Sequence, residues 1–373
     1  MCFPIPDNIE SLRPYVPGKP LDETKREYGL SDVIKLASNE NPLGPSPRAC
    51  AAMRAAMAEV ALYPDATGFE LKQALAKKHG VSPQELILGC GSNELIELLI
   101  RTFVAPGDSA LIADGSFIIY SLALQAAGRR AIAVPLRRDD WRYDLPTMAR
   151  ALDDTARLCF IANPDNPSGA IVTRAELTDF LEHVKERFPK LLVVMDEAYV
   201  DFVDAPDYPD SLALRAAHPN LVVLRTFSKS LGLAGLRVGY GILDARLANY
   251  LERVRMPFNV SNLAQAAALA ALTDSEHLAA TQALNRAEKA FVLDGLAKLD
   301  VDVIPPQGNF VLIDTHRPSA PIFEAMLRRG IILRPLLNYG MPTCLRISFG
   351  LREQNRQMLA ALEEVLVGTP RSA

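Results

Sequence analysis

The chain has 373 residues, of which 49% are hydrophobic and 23% charged, and its formal net charge is only −4. These proportions are typical of a soluble globular protein, and the lack of a basic excess argues against a nucleic-acid-binding protein. The length favours two domains over one. Because the first residues lack the pattern of a signal peptide and no apolar run is long enough to span a membrane, we predict a cytoplasmic protein.

The cysteines and histidines are too scattered to form a recognisable framework. The sequence contains five of each and no CxxC pair. This distribution argues against a disulfide scaffold and against a zinc or other metal site, and it fits a reducing compartment.

Residues 1–30 are rich in proline and show little periodicity, which predicts an extended N-terminal arm with one short helix near residues 21–28. An arm of this kind cannot bury its own side chains. We therefore expect it to lie on the body of the protein or on a partner subunit.

Short apolar runs alternate with amphipathic segments from residue 85 onward, which predicts strands alternating with helices. The predicted strands are 85–89, 109–113, 131–134, 157–162, 191–195 and 221–224, and the predicted helices between them include 94–103, 117–127, 145–152 and 174–188. This alternation is typical of an α/β fold with a mostly parallel sheet between helices. Ligands of such sheets bind at the carboxyl ends of the strands, where the polar motifs of this chain lie.

The pattern changes after residue 241, where helix-rich segments precede a few short strands and a closing helix. This arrangement predicts a smaller α+β domain at the C-terminus. We therefore divide the chain into the arm at 1–30, a large domain at 31–250 and a small domain at 251–373.

Lys229 is the first candidate for chemistry, because it follows the buried strand at 221–224 and a short polar turn. Partial desolvation at such a position lowers the pKa of an amine and allows it to form a Schiff base with a carbonyl compound. An ordinary solvated lysine in a surface turn explains the segment equally well. The choice depends on whether the rest of the chain supplies a partner.

Pyridoxal phosphate is the usual aldehyde partner of such a lysine, and polar residues at the strand ends match its needs. Asp196 ends the most apolar strand and is suited to a protonated pyridine nitrogen, although a helix cap or a buried polar network is the alternative. Asn166 and Tyr199 are candidates for the phenolic oxygen. The candidates for the phosphate are Ser92, Asn93, Ser228 and Arg237, and the candidate for the ring face is Phe117 or, second, Tyr120. Each has an ordinary structural alternative, but their joint arrangement does not.

Several motifs of the chain resemble those of the fold-type-I aminotransferases. They are SNENP at 38–42, NPDNPSG at 163–169, DEAY at 196–199, and SK at 228–229 followed by GLRVG at 235–239. Within that group the chain is similar to the histidinol-phosphate aminotransferases, through RPY at 13–15, YPD at 63–65, GIILR at 330–334 and CLRIS at 344–348. The resemblance covers almost the whole chain.

The resemblance implies a fold-type-I pyridoxal-phosphate transferase that works as a homodimer with shared active sites. Lys229 would carry the cofactor and move the substrate proton, and Tyr63 would reach the phosphate in the partner subunit. The remaining cofactor residues would be those named above. The substrate would meet Tyr15, Asn39, Arg334 and Arg346, with the two arginines at its anionic end.

The implied activity is transamination between glutamate or 2-oxoglutarate and histidinol phosphate or imidazole acetol phosphate, in histidine biosynthesis. Residues 334–342 resemble a branch with broader aromatic substrates, so a phenylalanine or tyrosine aminotransferase is the alternative. A decarboxylase of the same fold acting on an amino-acid phosphate, and a non-enzymatic regulator, are further alternatives. The chain departs from the common family pattern at Cys90, Asp165, Ser168 and Leu231.

Overall fold

The structure is a computed structural model that describes residues 3–370. Its helices are α1 Asp7–Glu10, α2 Leu21–Tyr28, α3 Pro47–Ala56, α4 Phe69–His79, α5 Gly91–Phe103, α6 Ile119–Ala126, α7 Leu145–Ala151, α8 Arg174–Arg187, α9 Ser211–Leu214, α10 Ala245–Val254, α11 Asn262–Leu272, α12 Ser275–Leu296, α13 Ser319–Arg328 and α14 Arg352–Val367. Its strands are β1 Ile34–Lys35, β2 Leu86–Gly89, β3 Ser109–Asp114, β4 Arg130–Pro135, β5 Ala156–Ala162, β6 Leu192–Asp196, β7 Leu221–Thr226, β8 Gly239–Ile242, β9 Asp302–Ile304, β10 Phe310–Asp314, β11 Ile331–Ile332, β12 Arg334–Leu336 and β13 Met341–Ser348.

Seven strands form the main sheet, in the order β2-β8-β7-β6-β5-β3-β4. Strand β8 pairs antiparallel with β2 and with β7, and the other pairs of this sheet are parallel. Helices cover both faces of the sheet over two large apolar clusters. The predicted α/β class with a mostly parallel sheet is confirmed.

Strand β8 was not predicted, because its sequence is short and rich in glycine. Those glycines have a structural reason, since a Cβ atom on Gly239 would lie 2.8 Å from the backbone nitrogen of Ser92. Glycine allows β8 to approach the start of α5 closely. The sheet therefore brings the N-terminus of α5 beside the segment that follows Lys229.

The C-terminal part contains a four-stranded antiparallel sheet in the order β12-β13-β10-β9. The short strand β1 pairs in parallel with β11, and the backbone nitrogen of Ser348 donates to the carbonyl oxygen of Leu36 at 2.9 Å. This pairing joins the segment after the arm to the C-terminal sheet. It places residues 37–39 beside Arg346.

The residues described here include no helix that is both long enough and apolar enough to cross a membrane.

Helix α11 lies in the predicted small domain but packs on elements of the predicted large domain. It packs against α3 and α4, and its alanines share an apolar cluster with β2 and β8. The division of the chain at residue 250 stays a prediction.

Candidate active site

A cavity of about 260 Å³ lies at the carboxyl ends of the central strands, between the main sheet and the C-terminal part. Its lining contains most of the residues predicted from the sequence, namely Tyr15, Asn39, Ser92, Asn93, Phe117, Asn166, Asp196, Tyr199, Ser228, Lys229, Arg237, Arg334 and Arg346. Segments far apart in the chain therefore meet at one place, as the position of polar motifs at strand ends predicted.

Lys229 lies in the loop after β7, partly buried and at the wall of the cavity. Its Nζ donates a hydrogen bond to the carbonyl oxygen of Ser38 at 3.1 Å and lies 5.6 Å from the centre of the Tyr199 ring. Burial, and next the positive charge of Arg346, lower the pKa of the Lys229 amine to about 8. An amine with this pKa is partly neutral at physiological pH, so the lysine is suited to nucleophilic chemistry rather than to a solvated turn.

Asp196 is the last residue of β6 and is almost fully buried. Its Oδ2 accepts a hydrogen bond from the Tyr120 hydroxyl at 3.0 Å, and its Oδ1 accepts one from the backbone nitrogen of Ala198 at 3.3 Å. Burial raises the pKa of this carboxyl group to about 6. Within residues 3–370 no lysine or arginine forms an ion pair with Asp196, so a cationic group in the cavity would meet an unpaired acid.

Asn166 and Tyr199 present free hydrogen-bond donors to the same cavity. The Oδ1 atom of Asn166 accepts from Arg346, and within the described chain its Nδ2 group has no partner. The hydroxyl of Tyr199 accepts from the Nδ2 of Asn39 at 2.9 Å, which leaves its own proton available. Two donors in the lining of one cavity suit an anionic oxygen.

The N-terminus of α5 and the loop after β7 form an anion cradle. Gly91 begins α5 with a φ of 73°, and a Cβ atom there would lie 2.5 Å from the Arg237 guanidinium. Glycine thus lets Arg237 lie against the helix start, where backbone N–H groups and the helix dipole favour an anion. Ser92, Asn93 and Ser228 line the cavity at this end.

Arg334 and Arg346 also line the cavity, and both are largely buried. The Arg334 guanidinium lies 5.5 Å from the centre of the Tyr15 ring. Arg346 donates to the carbonyl oxygen of Ala37 at 2.6 Å, and its buried Nε atom has no hydrogen-bond partner among residues 3–370. Neither arginine forms an ion pair with an acidic residue of the described chain, so both charges remain available to a ligand.

Three predicted residues have positions that need comment. Phe117 lines the cavity, whereas Tyr120, the second choice for a ring contact, is buried behind it and holds Asp196 through its hydroxyl. Tyr63 is 82% exposed, stacks on Phe258 at 4.6 Å between ring centres, and does not line the cavity of its own chain. Its predicted contact with a partner subunit stays a prediction.

Sequence reasoning missed two contributors to the site. Tyr339 lines the cavity beside the two arginines, and its hydroxyl has no hydrogen-bond partner among residues 3–370. The carbonyl oxygen of Ser38 holds the Lys229 amine. The only signal for Tyr339 was its place in the loop between the two arginine motifs, and a backbone carbonyl has no sequence signal at all.

The residues present fit pyridoxal phosphate. Within residues 3–370 the buried Asp196 carboxylate has no ion-pair partner, two free donors line the same cavity, and the anion cradle lies near an amine of lowered pKa. These features match the pyridine nitrogen, the phenolic oxygen, the phosphate and the aldehyde of that cofactor in turn. Among residues 3–370, no group of three or more His, Cys, Asp and Glu side chains is arranged to hold a metal ion.

Comparisons with known proteins agree with this geometry. The chain is 52% identical to a histidinol-phosphate aminotransferase of Anaeromyxobacter sp. over 97% of its own length and 99% of the relative. It is 48% identical to histidinol-phosphate aminotransferase 2 of Pseudomonas fluorescens over 96% of each chain.

Solved structures give the same result for the fold. The histidinol-phosphate aminotransferase of Sinorhizobium meliloti, solved in complex with pyridoxal-5'-phosphate, superposes with a TM-score of 0.87 at 29% identity over 98% of each chain. A Thermus thermophilus aspartate aminotransferase superposes with a TM-score of 0.84 at 21% identity over 98% of this chain and all of that one. The predicted fold-type-I architecture is therefore confirmed.

The sequence profile of one family, described as aminotransferase class I and II, matches residues 31–362. This match covers most of the chain, and the close relatives over nearly full length agree with it. The resemblance found in the motifs is thereby confirmed, and the chain belongs to the class I and II aminotransferases.

Proposed function

We propose that the chain is a pyridoxal-phosphate-dependent transaminase that exchanges an amino group between glutamate or 2-oxoglutarate and histidinol phosphate or imidazole acetol phosphate. The observation that carries this proposal is the charge of the cavity. Its cationic side chains are Lys229, Arg237, Arg334 and Arg346, and its carboxylate is Asp196. A phosphorylated cofactor at one end and an anionic substrate at the other would balance this excess.

Pyridoxal phosphate, when bound, supplies the aldehyde and the ring that withdraws electrons from the substrate. Arg237 and the start of α5 would hold its phosphate, Asp196 would lie at the ring nitrogen, and Asn166 and Tyr199 would donate to the phenolic oxygen. Because the Lys229 amine has a lowered pKa, Lys229 would anchor the cofactor, and its Nζ would take and return the substrate's Cα proton.

Arg334 and Arg346 bind the anionic end of either substrate. Guanidinium groups pair with carboxylate and phosphate in the same fork geometry, so one site serves glutamate and histidinol phosphate in turn. The aromatic rings of Tyr15 and Tyr339 lie beside these charges. The names of the close relatives favour histidinol phosphate over aromatic amino acids, and a transaminase over a decarboxylase.

We further propose that the enzyme is a cytoplasmic homodimer with an arm, a large domain and a small domain. Apolar side chains near Tyr63 are exposed in the single chain, among them Met57, Val60, Leu62, Met256 and Phe258. A surface of this kind is typical of an interface. Tyr63 would then reach the cofactor phosphate of the partner subunit.

Replacement of Lys229 tests the activity. A Lys229→Ala protein should lose turnover and the visible absorption of bound cofactor, because the amine that receives the aldehyde is absent. Lys72→Ala is the matched control, since Lys72 forms an ion pair with Glu252 away from the cavity. Full turnover in Lys229→Ala would overturn the proposal. Half-reactions with histidinol phosphate, glutamate, phenylalanine and tyrosine then decide between the narrow and the aromatic substrate range.

Mixing two inactive variants tests the shared site. A hybrid of Lys229→Ala and Tyr63→Ala subunits contains one site with both Lys229 and Tyr63, so mixed subunits should regain activity that neither variant has alone. Light scattering of the wild-type protein gives the oligomeric mass. A monomeric mass, or no gain on mixing, would contradict a dimer with shared sites.

A further inference from the structure

A second buried aspartate lies just outside the cavity, in a network that the proposed function does not use. Asp165 is fully buried, and within the described residues no lysine or arginine forms an ion pair with it. The groups around it are hydroxyls and backbone N–H groups. Because these groups donate to both oxygens of the side chain, they favour a carboxylate at this position.

Two chains of hydrogen bonds end on the carboxyl oxygens of Asp165. In the first, the Ser116 hydroxyl lies 2.5 Å from Oδ1 and 2.6 Å from the hydroxyl of Tyr143, which in turn accepts from the backbone nitrogen of Ala162 at 2.9 Å. In the second, Oδ2 accepts from the hydroxyl and the backbone nitrogen of Ser168 at 2.7 and 3.1 Å.

The carboxylate of Asp165 sets the direction of this first series of hydrogen bonds. A carboxylate can only accept, so the Ser116 hydroxyl donates to Oδ1 and its oxygen accepts the proton of the Tyr143 hydroxyl. A carboxylate accepts at both oxygens and satisfies every member. An amide or a protonated acid carries a donor in place of one acceptor, so at least one of the hydrogen bonds that end on Oδ1 or Oδ2 would be reversed or lost.

The bond between Ser116 and Asp165 joins two loops of the active site. Ser116 follows β3 and directly precedes Phe117, while Asp165 follows β5 and directly precedes Asn166. Strands β3 and β5 are neighbours in the sheet although they are distant in the sequence. Both following residues line the cofactor cavity.

We propose that Asp165 is a positioning residue for the cofactor, whose carboxylate ties the loop after β3 to the loop after β5. The inference rests on the proposed function, since the loops matter only if pyridoxal phosphate binds between them. Asp165 itself does not line the cavity. It acts through Phe117 and Asn166.

Near neutral pH the Asp165 side chain is an ionised carboxylate, and the tyrosine hydroxyls around it are uncharged. Burial raises the pKa of Asp165 to about 6, while hydrogen bonds from Ser116 and Ser168 lower it. The phenols of Tyr120, Tyr143 and Tyr199 interact with its charge, and burial raises the pKa of each. These phenols therefore remain neutral while Asp165 titrates.

Binding of pyridoxal phosphate to the apoenzyme tests the inference without recourse to turnover. Asp165→Asn mimics the protonated acid, and Ser116→Ala removes the link between the loops, so each should weaken binding about tenfold at pH 7.5. The wild-type protein should also lose affinity at pH 5.5, and Asp165→Asn should show a smaller change between the two pH values.

Ser109→Ala is the matched control, because Ser109 is a buried serine at the other end of β3 whose hydroxyl lies 2.8 Å from the Thr155 hydroxyl. Its affinity should stay within about twofold of wild type. Two results would overturn the inference and leave the proposed function intact. One is that Asp165→Asn and Ser116→Ala both bind the cofactor with the affinity and pH dependence of the wild type. The other is that Ser109→Ala loses as much affinity as Ser116→Ala. A wild-type apoenzyme that does not bind pyridoxal phosphate would overturn both. If Asp165→Asn does not fold, Ser116→Ala alone decides.

Discussion

Two buried aspartates lie at the ends of neighbouring strands, and their surroundings differ in one respect. Asp165 and Asp196 are both almost inaccessible to solvent, and burial raises the pKa of each to about 6. Asp196 lines the cavity and accepts two hydrogen bonds, one from a tyrosine hydroxyl and one long bond from a backbone nitrogen, whereas Asp165 lies outside the cavity and accepts three. One carboxylate is incomplete without a ligand, and the other is complete within the chain.

This difference shows how burial alone fails to identify a functional acid. Both aspartates have the same residue type, depth and pKa. What separates them is the number of hydrogen bonds that the protein itself provides to the charged form. The proposed pairing with a cofactor therefore falls on Asp196, the acid with fewer partners, and the proposed positioning role falls on Asp165, the acid with more.

Asp196→Asn should have the largest effect. The amide carries no charge for the protonated ring nitrogen, and loss of one member of a buried ion pair costs about 3–5 kcal/mol, or roughly 10²–10⁴-fold in turnover. Steady-state kinetics with glutamate and histidinol phosphate measure it. Turnover within tenfold of wild type would mean that Asp196 does not pair with the ring.

The pH dependence of stability should separate the two acids next. Each folded-state pKa lies above the ordinary 3.8, so the folded apoenzyme holds protons that the unfolded chain has released between about pH 4 and 6. The free energy of unfolding is therefore highest below pH 4. It falls by about 3 kcal/mol for each acid as the pH rises through 6, and it changes little at higher pH.

Urea unfolding of the apoenzyme at a series of pH values measures this decline. In Asp196→Asn the decline should be smaller by about 3 kcal/mol, and this variant should be more stable than wild type near pH 7, because few hydrogen bonds to Asp196 are lost. In Asp165→Asn the decline should be smaller by the same amount, but this variant should not be more stable than wild type, because its hydrogen-bond network is broken. Equal stability of the two variants at pH 7 would contradict the comparison.

Tyr120→Phe should have an intermediate effect confined to Asp196. The hydroxyl of Tyr120 donates to Oδ2 at 3.0 Å and lowers the pKa of the acid, so its loss should raise that pKa and weaken cofactor binding about tenfold. Titration of apoenzyme with pyridoxal phosphate measures the affinity. Tyr28→Phe, which removes a hydroxyl that interacts with Glu324 away from the cavity, should leave it unchanged.

The sequence predicted the acid that faces the cavity better than the one behind it. Asp196 and Lys229 could be found because each follows a strongly apolar run, and the ends of parallel strands meet at one edge. The roles of Tyr120 and Ser116 could not be found, because a hydroxyl has no preferred partner until the fold is known. Ser116 meets Asp165 only because β3 lies beside β5, an order that the sequence does not state.

The fold was largely predictable for a similar reason. Strands such as β6 and β7 are buried on both faces and therefore have unmistakable apolar runs. Strand β8 lacks such a run, because its glycines are needed for the close approach to α5 and Ile87. Close backbone contacts remove the side chains on which sequence patterns depend.

Ser168→Ala should have the smallest effect and tests which part of the Asp165 network matters. Ser168 lies in the same loop as Asp165, so its hydroxyl strengthens that loop but does not join it to the loop of Phe117. The backbone nitrogen of Ser168 still donates to Oδ2 after the replacement. We expect a loss of about 1 kcal/mol in the free energy of unfolding and cofactor affinity within about twofold of wild type. A loss of affinity as large as that of Ser116→Ala would mean that the loops are held by the whole network and not by the single bond between Ser116 and Asp165.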